Sequence, residues 1–501
     1  MESFVINKGL LIYTPSQLMP IEIPKPDGSL SLLYLAAALE KNGILTDILD
    51  ANIGDGSDLK NTLFRFVPQD NGLIKVGMSF NEIAEYVKNG DYTFVGINSN
   101  FTSQTNMVIK TAKAIKDMNS NIKIYVGGTN ARAIYERFLV TGYFDGVCLT
   151  EGEIIFPRVI LENIENIPGW AYMRYGRIIV NEVDETCFEK NLDNLPMPAW
   201  NKLPMDKYDI RDVTACDGEL SSAILTSRGC RFHCAYCHIS GKKKDIGKLR
   251  LHSLDRTLLE IKELKKLGVK RIYFEDDSLL SHKDRTCKLF TAIQNEGLKF
   301  LGINGVNLID FFDKSQEIDG KWAIDIPFIQ MLYDAGFYQM AFPLESGSQR
   351  IIDKYCSGKI RLDKMDILSL MKVLNAIGIK TPVNIVMGFP DETEEEMYQS
   401  IEMGKKLSEA GAIYVSFFFA TPYPGTQLYK MAIEGGHLDE DFDTDLMNYK
   451  RPVMRNTVVS AERLVEIQAQ ANKDANTKEF ITEIEKKTIR KLSPSLQNRK
   501  V

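Results

Sequence analysis

An excess of positive charge is the first thing this chain lacks. Its 501 residues carry 61 Lys and Arg against 67 Asp and Glu, a net charge of −6. That leaves no broad electrostatic footprint for nucleic acid, and the short basic run Lys242–Lys244 reads as a solvated loop. No stretch approaches the roughly 18 apolar residues of a membrane span. The first residues lack the basic-then-apolar layout of a secretory signal. The expectation is a cytoplasmic protein with neither a membrane nor a nucleic acid as partner. Histidine is scarce: His233, His238, His252, His282 and His437 are all there are, so the N-terminal part can offer no imidazole ligand. Of eight cysteines, Cys148, Cys187, Cys216, Cys287 and Cys356 stand singly, and small buried hydrophobe is the default for each.

The other three cysteines are together. Thr226-Ser-Arg-Gly-Cys230-Arg-Phe-His-Cys234-Ala-Tyr-Cys237 spaces them C-x3-C-x2-C, directly after the apolar stretch 223–225. Thiolates are the usual protein ligands of iron–sulfur clusters. Three thiolates on a 4Fe–4S cluster leave one iron open, which suits chemistry at the cluster better than plain electron transfer. A structural zinc site would need a fourth ligand from His233, His238 or a distant cysteine. Cys234-Ala-Tyr-Cys237-His238 also fits the C-x-x-C-H pattern of haem attachment, but that chemistry normally accompanies export.

The segment resembles the signature loop of the radical S-adenosylmethionine (SAM) superfamily. The resemblance implies that Cys230, Cys234 and Cys237 hold three irons of a 4Fe–4S cluster, that SAM chelates the fourth, and that Tyr236 lies near the adenine.

Residues 8–160 alternate apolar runs (10–13, 45–49, 93–97, 122–126, 146–149) with helix-period segments (29–40, 105–118, 131–140). Strands alternating with helices indicate a parallel sheet covered on both faces, of the flavodoxin type, which binds ligands beyond the carboxyl ends of its strands. Those ends carry Pro24–Gly28, Ser99-Asn100, Gly127-Gly128 and Glu151-Gly152-Glu153. Plain turn glycines would give the same letters. The pattern nevertheless resembles the cobalamin-binding domain at the N-terminus of one large radical SAM class. It departs from classical cobalamin domains in lacking D-x-H-x-x-G after the first strand. Cobalamin bound there would have a non-histidine lower face, with Asn100 a candidate contact beside Gly127, Gly128 and Glu151.

A hairpin over 169–180 and the Pro-rich connector 195–204 form the expected linker. From about 220 a second β/α series begins, with candidate strands at 223–226, 271–274, 300–303, 339–342, 383–387 and 413–419. Six such units resemble the partial (β/α)6 barrel of the radical SAM fold. Polar residues at the strand ends then align with that family's SAM contacts: Glu275 for the amino group, Glu345 and Ser346 for the ribose, and Asn384 in a loose G-x-I-x-G-x-x-E element. Pro422-Tyr-Pro-Gly-Thr426 matches a turn common in cobalamin-type members. Thr393 and Glu396 form a capping box that would start a helix whatever binds nearby. Cys356 stands close behind a candidate SAM-contact strand.

The expected layout is therefore 1–165 cobalamin-binding, 166–214 hairpin and linker, 215–430 radical SAM partial barrel, and 431–501 a helical cap. The resemblance implies a cobalamin-dependent radical SAM methyltransferase acting on an unactivated carbon of a small molecule of specialised metabolism. It would use SAM twice, as methyl donor and as radical source, and would need an external electron donor such as flavodoxin or ferredoxin. A cyclase or ring-rearranging enzyme on the same architecture is the alternative. A methylthiotransferase would carry three N-terminal cysteines, and only Cys148 precedes residue 160. A non-catalytic sensor would not need the open iron.

Overall fold

The computed structural model describes residues 7–20, 22, 24, 28–162, 164–208, 219–239, 248–477, 480 and 482. Residues 25–27 of the first loop, Cys216, Lys242–Lys244, the end of the connector and the chain beyond 482 lie outside the described residues. The described chain forms two compact units. The first holds residues up to 208 together with 444–446, the second the remainder from 219.

In the first unit, five parallel strands, Lys8–Tyr13 (β1), Leu45–Asp50 (β2), Phe94–Asn98 (β3), Lys123–Gly127 (β4) and Gly146–Cys148 (β5), run in the spatial order β2-β1-β3-β4-β5. This is the doubly wound 2-1-3-4-5 order, with a topological switch between β1 and β3. Leu10, Leu11 and Ile12 are all fully buried, as a strand covered on both faces requires. Leu30–Lys41 (α1) and Gly152–Leu161 (α4) pack on each other, as do Phe80–Asn89 (α2) and Thr105–Met118 (α3). A capping box starts α2: Ser79 Oγ accepts from Glu82 N–H while the Glu82 carboxylate accepts from Ser79 N–H.

Several expectations need correction here. The helix expected over 131–140 is two short helices, Thr129–Ala133 and Tyr135–Leu139, broken at Ile134, whose φ is −129°. The hairpin expected in the linker, Trp170–Arg174 (β6) with Arg177–Val180 (β7), hydrogen-bonds into the sheet antiparallel to β5. The first unit therefore extends beyond 165. The hairpin's two-residue turn is Tyr175-Gly176, with φ of 49° and 73°.

In the second unit, parallel strands Ser221–Ile224 (β8), Arg271–Phe274 (β9), Lys299–Gly302 (β10) and Phe337–Met340 (β11) form one sheet. Phe342–Glu345 (β12), Pro382–Met387 (β13) and Tyr414–Phe419 (β14) form another. β11 and β12 are one strand interrupted at Ala341, so six strand positions follow one another in chain order. Phe274, Phe300 and Phe337 of these strands pack with Phe290 of helix Lys283–Ala292, centroids 4.7–6.0 Å apart, on the helix-facing side of the sheet. The hairpin Phe312–Ile318 with Lys321–Ile324 escaped the sequence reading. Its signal was Asp319-Gly320, both at positive φ, the dipeptide of a type I′ turn.

Within the segment expected as a C-terminal cap, helix Ala461–Asp474 lies along β14, where Gln468 donates to Phe417 O at 2.6 Å and Asn476 both accepts from Val415 N–H and donates to Val415 O. These side chains satisfy the free backbone groups of an edge strand, a protection that open sheets need. Residues 444–446 belong instead to the first unit, where buried Asp445 accepts from the Gln17 amide and from Asn106 N–H.

Candidate active site

The chain from Thr226 to Cys237 has little regular structure, so its shape comes from anchors. Asp276, just past β9 and fully buried, accepts from Thr226 N–H at 3.0 Å, Thr226 Oγ1 at 2.8 Å and Ser227 Oγ at 2.5 Å. Burial pushes this carboxyl up to about 6, against those three hydrogen bonds and the nearby Arg285, which hold it down. Arg285 also donates to Thr226 O and His252 O. Asp277 accepts from Gly229 N–H at 2.8 Å. Further on, Ala235 N–H donates to Tyr355 O and Leu428 N–H donates to Ala235 O. The loop is thus held at both ends before anything binds to it.

Cys230, Cys234 and Cys237 line a single cavity of about 240 Å³, together with Phe232, Tyr236, Asp277, Asn307, Glu345, Lys359 and Asn384. Among the described residues no three His, Cys, Asp or Glu side chains converge closely enough for a single metal ion. Three thiols bordering one cavity are the soft ligands that an iron–sulfur cluster takes. Burial pushes the Cys234 thiol up to about 12 and raises Cys237, so these groups are neutral until iron displaces their protons.

The strand-end residues divide into three sets. Tyr236, Glu345 and Asn384 line the cavity. Glu275 does not, whereas Asp277, two residues further along the same turn, does; strand alternation does not continue past β9, and no residue pattern there signals it. Ser346 does not line it either. It is fully buried, its hydroxyl 3.2 Å from Ser400 Oγ and accepting from Ser348 N–H. Gly347 beside it admits no side chain, since a Cβ would lie 2.6 Å from the backbone of Gln399. Ser346 and Gly347 thus seat the turn on helix Glu394–Glu409, while Glu345 alone of the three reaches the cavity.

The loose G-x-I-x-G-x-x-E element is shifted by one residue. Asp391, in the expected acidic position, faces outward to Arg350, Lys354 and Tyr355. Buried Glu392 takes the inner role, accepting from Gly388 N–H at 2.6 Å and Phe389 N–H at 3.1 Å, while its Oε1 has no partner. Phe389 in turn stacks on Tyr355 at 4.3 Å and lies 6.0 Å from Tyr236. Burial pushes the Glu392 carboxyl up to about 8. A carboxyl raised in the folded state binds more protons than the unfolded chain, so stability falls as pH rises between about 4.5 and 8. Urea midpoints at pH 6 and pH 8 should differ in that sense, and Glu392→Gln should flatten the difference.

In the first unit, Asn100, Gly127, Gly128 and Glu151 do meet at neighbouring strand ends. Asn98 pairs with Gly127, and Ser99 N–H donates to Gly127 O. Asn100 Oδ1 accepts from Thr129 N–H at 3.1 Å. Gly128, at φ 116°, is pressed against this loop: a Cβ would lie 2.5 Å from Asn100 Oδ1 and 2.7 Å from Ser99 O. The second glycine is thus explained by loop-on-loop packing. Glu151 stands at the N-terminal cap position of α4. The same strand ends hold unused polar capacity: Asn130 Oδ1 and Thr150 Oγ1 are buried without partners. Burial pushes the Arg132 guanidinium down beside Cys148 and Glu151. A ligand rimmed with amides, as cobalamin is, fits such a surface.

With both sites described, similarity to known proteins is informative. The Radical SAM superfamily pattern matches residues 224–404, and that of the B12 binding domain matches residues 28–160. An uncharacterized methyltransferase of Pyrococcus horikoshii is 30% identical over 71% of this chain and 72% of its own. Cytidylyl-2-hydroxyethylphosphonate methyltransferase of Streptomyces wedmorensis is 26% identical over 94% of this chain and 90% of its own. In fold, the chain is similar to the radical SAM methyltransferase TsrM of Kitasatospora setae, solved with cobalamin and a [4Fe-4S] cluster, at a TM-score of 0.61 and 15% identity over 86% of this chain and 78% of that one. The chain belongs to the cobalamin-dependent radical SAM methyltransferases. The ring-rearranging alternative is not favoured by these relatives. Among the described residues no helix is long and apolar enough to cross a membrane.

Proposed function

We propose that the chain transfers a methyl group to an unactivated carbon of a small molecule, with the six strand positions of its second unit acting as the partial (β/α)6 barrel. The observation that carries this reading is the convergence of the thiols of Cys230, Cys234 and Cys237 with Tyr236, Asp277, Glu345 and Asn384 on a single cavity. When bound, the cluster supplies an electron to SAM and cobalamin carries the methyl group. Cys230, Cys234 and Cys237 hold three irons. Tyr236 would face the adenine and Glu345 would accept from the ribose hydroxyls, with Asn384 lining the same cavity. Asp277 takes the role expected of Glu275 toward the SAM amino group. The electron comes from an external one-electron donor of the flavodoxin or ferredoxin kind.

The relative spanning most of this chain is named for a cytidylylated phosphonate, so nucleotide-linked small acids head the list of substrates to try. Incubation with SAM carrying a deuterated methyl group, followed by mass spectrometry of each candidate, tests the assignment. A gain of the labelled methyl on carbon supports it, and labelling on oxygen or nitrogen alone contradicts it. No histidine precedes His233, so electron paramagnetic resonance of bound cob(II)alamin should lack nitrogen splitting from a lower ligand. A clear nitrogen triplet from the protein would contradict this.

A further inference from the structure

Glu345 and Lys359 form an ion pair at 2.7 Å inside the cavity that also holds the three cysteine thiols. Their side chains are only 8% and 11% exposed. Both are delivered by unusual backbone. Glu345 ends β12 at φ 66°, and Ser357, two residues before Lys359, sits at φ 61°. Left-handed conformations at non-glycine residues are strained and persist where the surroundings over-determine them. Gly358, also left-handed at φ 58°, completes the reversal after helix Gln349–Tyr355, with its N–H donating to Ile352 O. The turn has one evident consequence: it returns a lysine to the cavity wall instead of leaving it in solvent.

Among the described residues lining the cavity, Lys359 is the one cation, against Asp277, Glu345 and the three cysteines. Once deprotonated, three thiolates and two carboxylates make a buried, strongly negative site. Charges there interact at low effective dielectric. The electrostatic neighbours of Lys359 include Glu345 first and Cys234 next; burial alone would push its ammonium down, and these neighbours hold it well above the usual lysine range.

We propose that Lys359 is a positioning residue with two tasks: it fixes the Glu345 carboxylate against the cavity, and its charge sets the reduction potential of the cluster held by the adjacent thiolates. This rests on the cluster reading given above. Adding an electron to a site of negative charge is opposed by that charge and favoured by a nearby cation, so the ammonium makes reduction easier. The lysine does not touch the reacting atoms. It acts through Glu345 and through the field at the cluster.

The test uses the full chain reconstituted anaerobically with iron and sulfide, and follows the cluster by electron paramagnetic resonance during a redox titration with titanium(III) citrate. Lys359→Met should move the midpoint to lower potential, and Lys359→Arg should restore most of the shift. Glu345→Gln should move it the other way, because the ammonium loses its partner. Opposite shifts support the proposal. An unchanged midpoint in both variants, or a shift of the same sign in both, overturns it, since a merely structural pair would not separate by charge. If Lys359→Met assembles no cluster, the Arg and Glu345→Gln arms still decide the question. A wild-type chain that assembles no cluster would instead defeat the underlying assignment.

Discussion

Replacing Cys234 by alanine should abolish both cluster assembly and 5′-deoxyadenosine formation. Cys234 is 7% exposed and is the most enclosed of the three cavity thiols. Its neighbour Ala235 is tied on both sides, to Tyr355 and to Leu428, so the backbone stays in place when the ligand is lost. A cluster left with two thiolates of the C-x3-C-x2-C loop lacks the third protein ligand that holds it. Iron content and the visible absorption of the reconstituted protein check the first effect, and chromatography of nucleoside products the second. Cys287→Ala, on helix Lys283–Ala292 away from the cavity lining, serves as the control and should leave both unchanged. Deoxyadenosine formed at the wild-type rate by the Cys234 variant would contradict the assignment.

Asp276→Ala has the next largest expected effect, and it acts on the fold of the loop instead of on a ligand. The change leaves three donors at Thr226 and Ser227 without their acceptor in a dry environment. Each unpaired buried donor costs on the order of 1–3 kcal/mol, so a loss of about 3 kcal/mol is a modest expectation. That corresponds to a fall of roughly 6–12 °C in thermal midpoint for a unit of this size. Because the same loop carries Cys230, iron incorporation should fall along with stability. Asp276→Asn keeps the volume and one acceptor oxygen, and should lie between the two. Calorimetry and iron analysis on the same samples decide it. A thermal midpoint within a degree of wild type would mean that the loop has other anchors.

Much of this was legible in the letters, for reasons that differ from residue to residue. The cysteine spacing is local, so it fixed the three thiols without help from the fold. The parallel sheet of the first unit followed from alternation of buried runs and helices, since parallel strands covered on both faces cannot hide their apolar content. What could not be read were features that depend on where a chain turns after a strand. Glu275 and Asp277 are two residues apart, and only the geometry past β9 decides which reaches the cavity. Ser346 sits in an element that resembles a ribose contact, yet its hydroxyl is engaged by Ser400. The acidic position after β13 moved by one residue because Glu392, unlike Asp391, can reach the N–H groups of Gly388 and Phe389. Lys359 was invisible because its approach depends on the left-handed turn at Ser357 and Gly358. The hairpin beside β5 was seen as a hairpin but placed in a linker, since nothing in an edge strand's sequence names its neighbour.

The central claim is that one chain uses two molecules of SAM for two different purposes. The direct measurement is an anaerobic incubation of the protein, reconstituted with iron, sulfide and hydroxocobalamin, with SAM, a low-potential reductant and a panel of small-molecule substrates. Both 5′-deoxyadenosine and S-adenosylhomocysteine are quantified. The account predicts that a true substrate raises the two products together and in equal amounts. Deoxyadenosine rising alone with a consumed substrate would contradict methyl transfer.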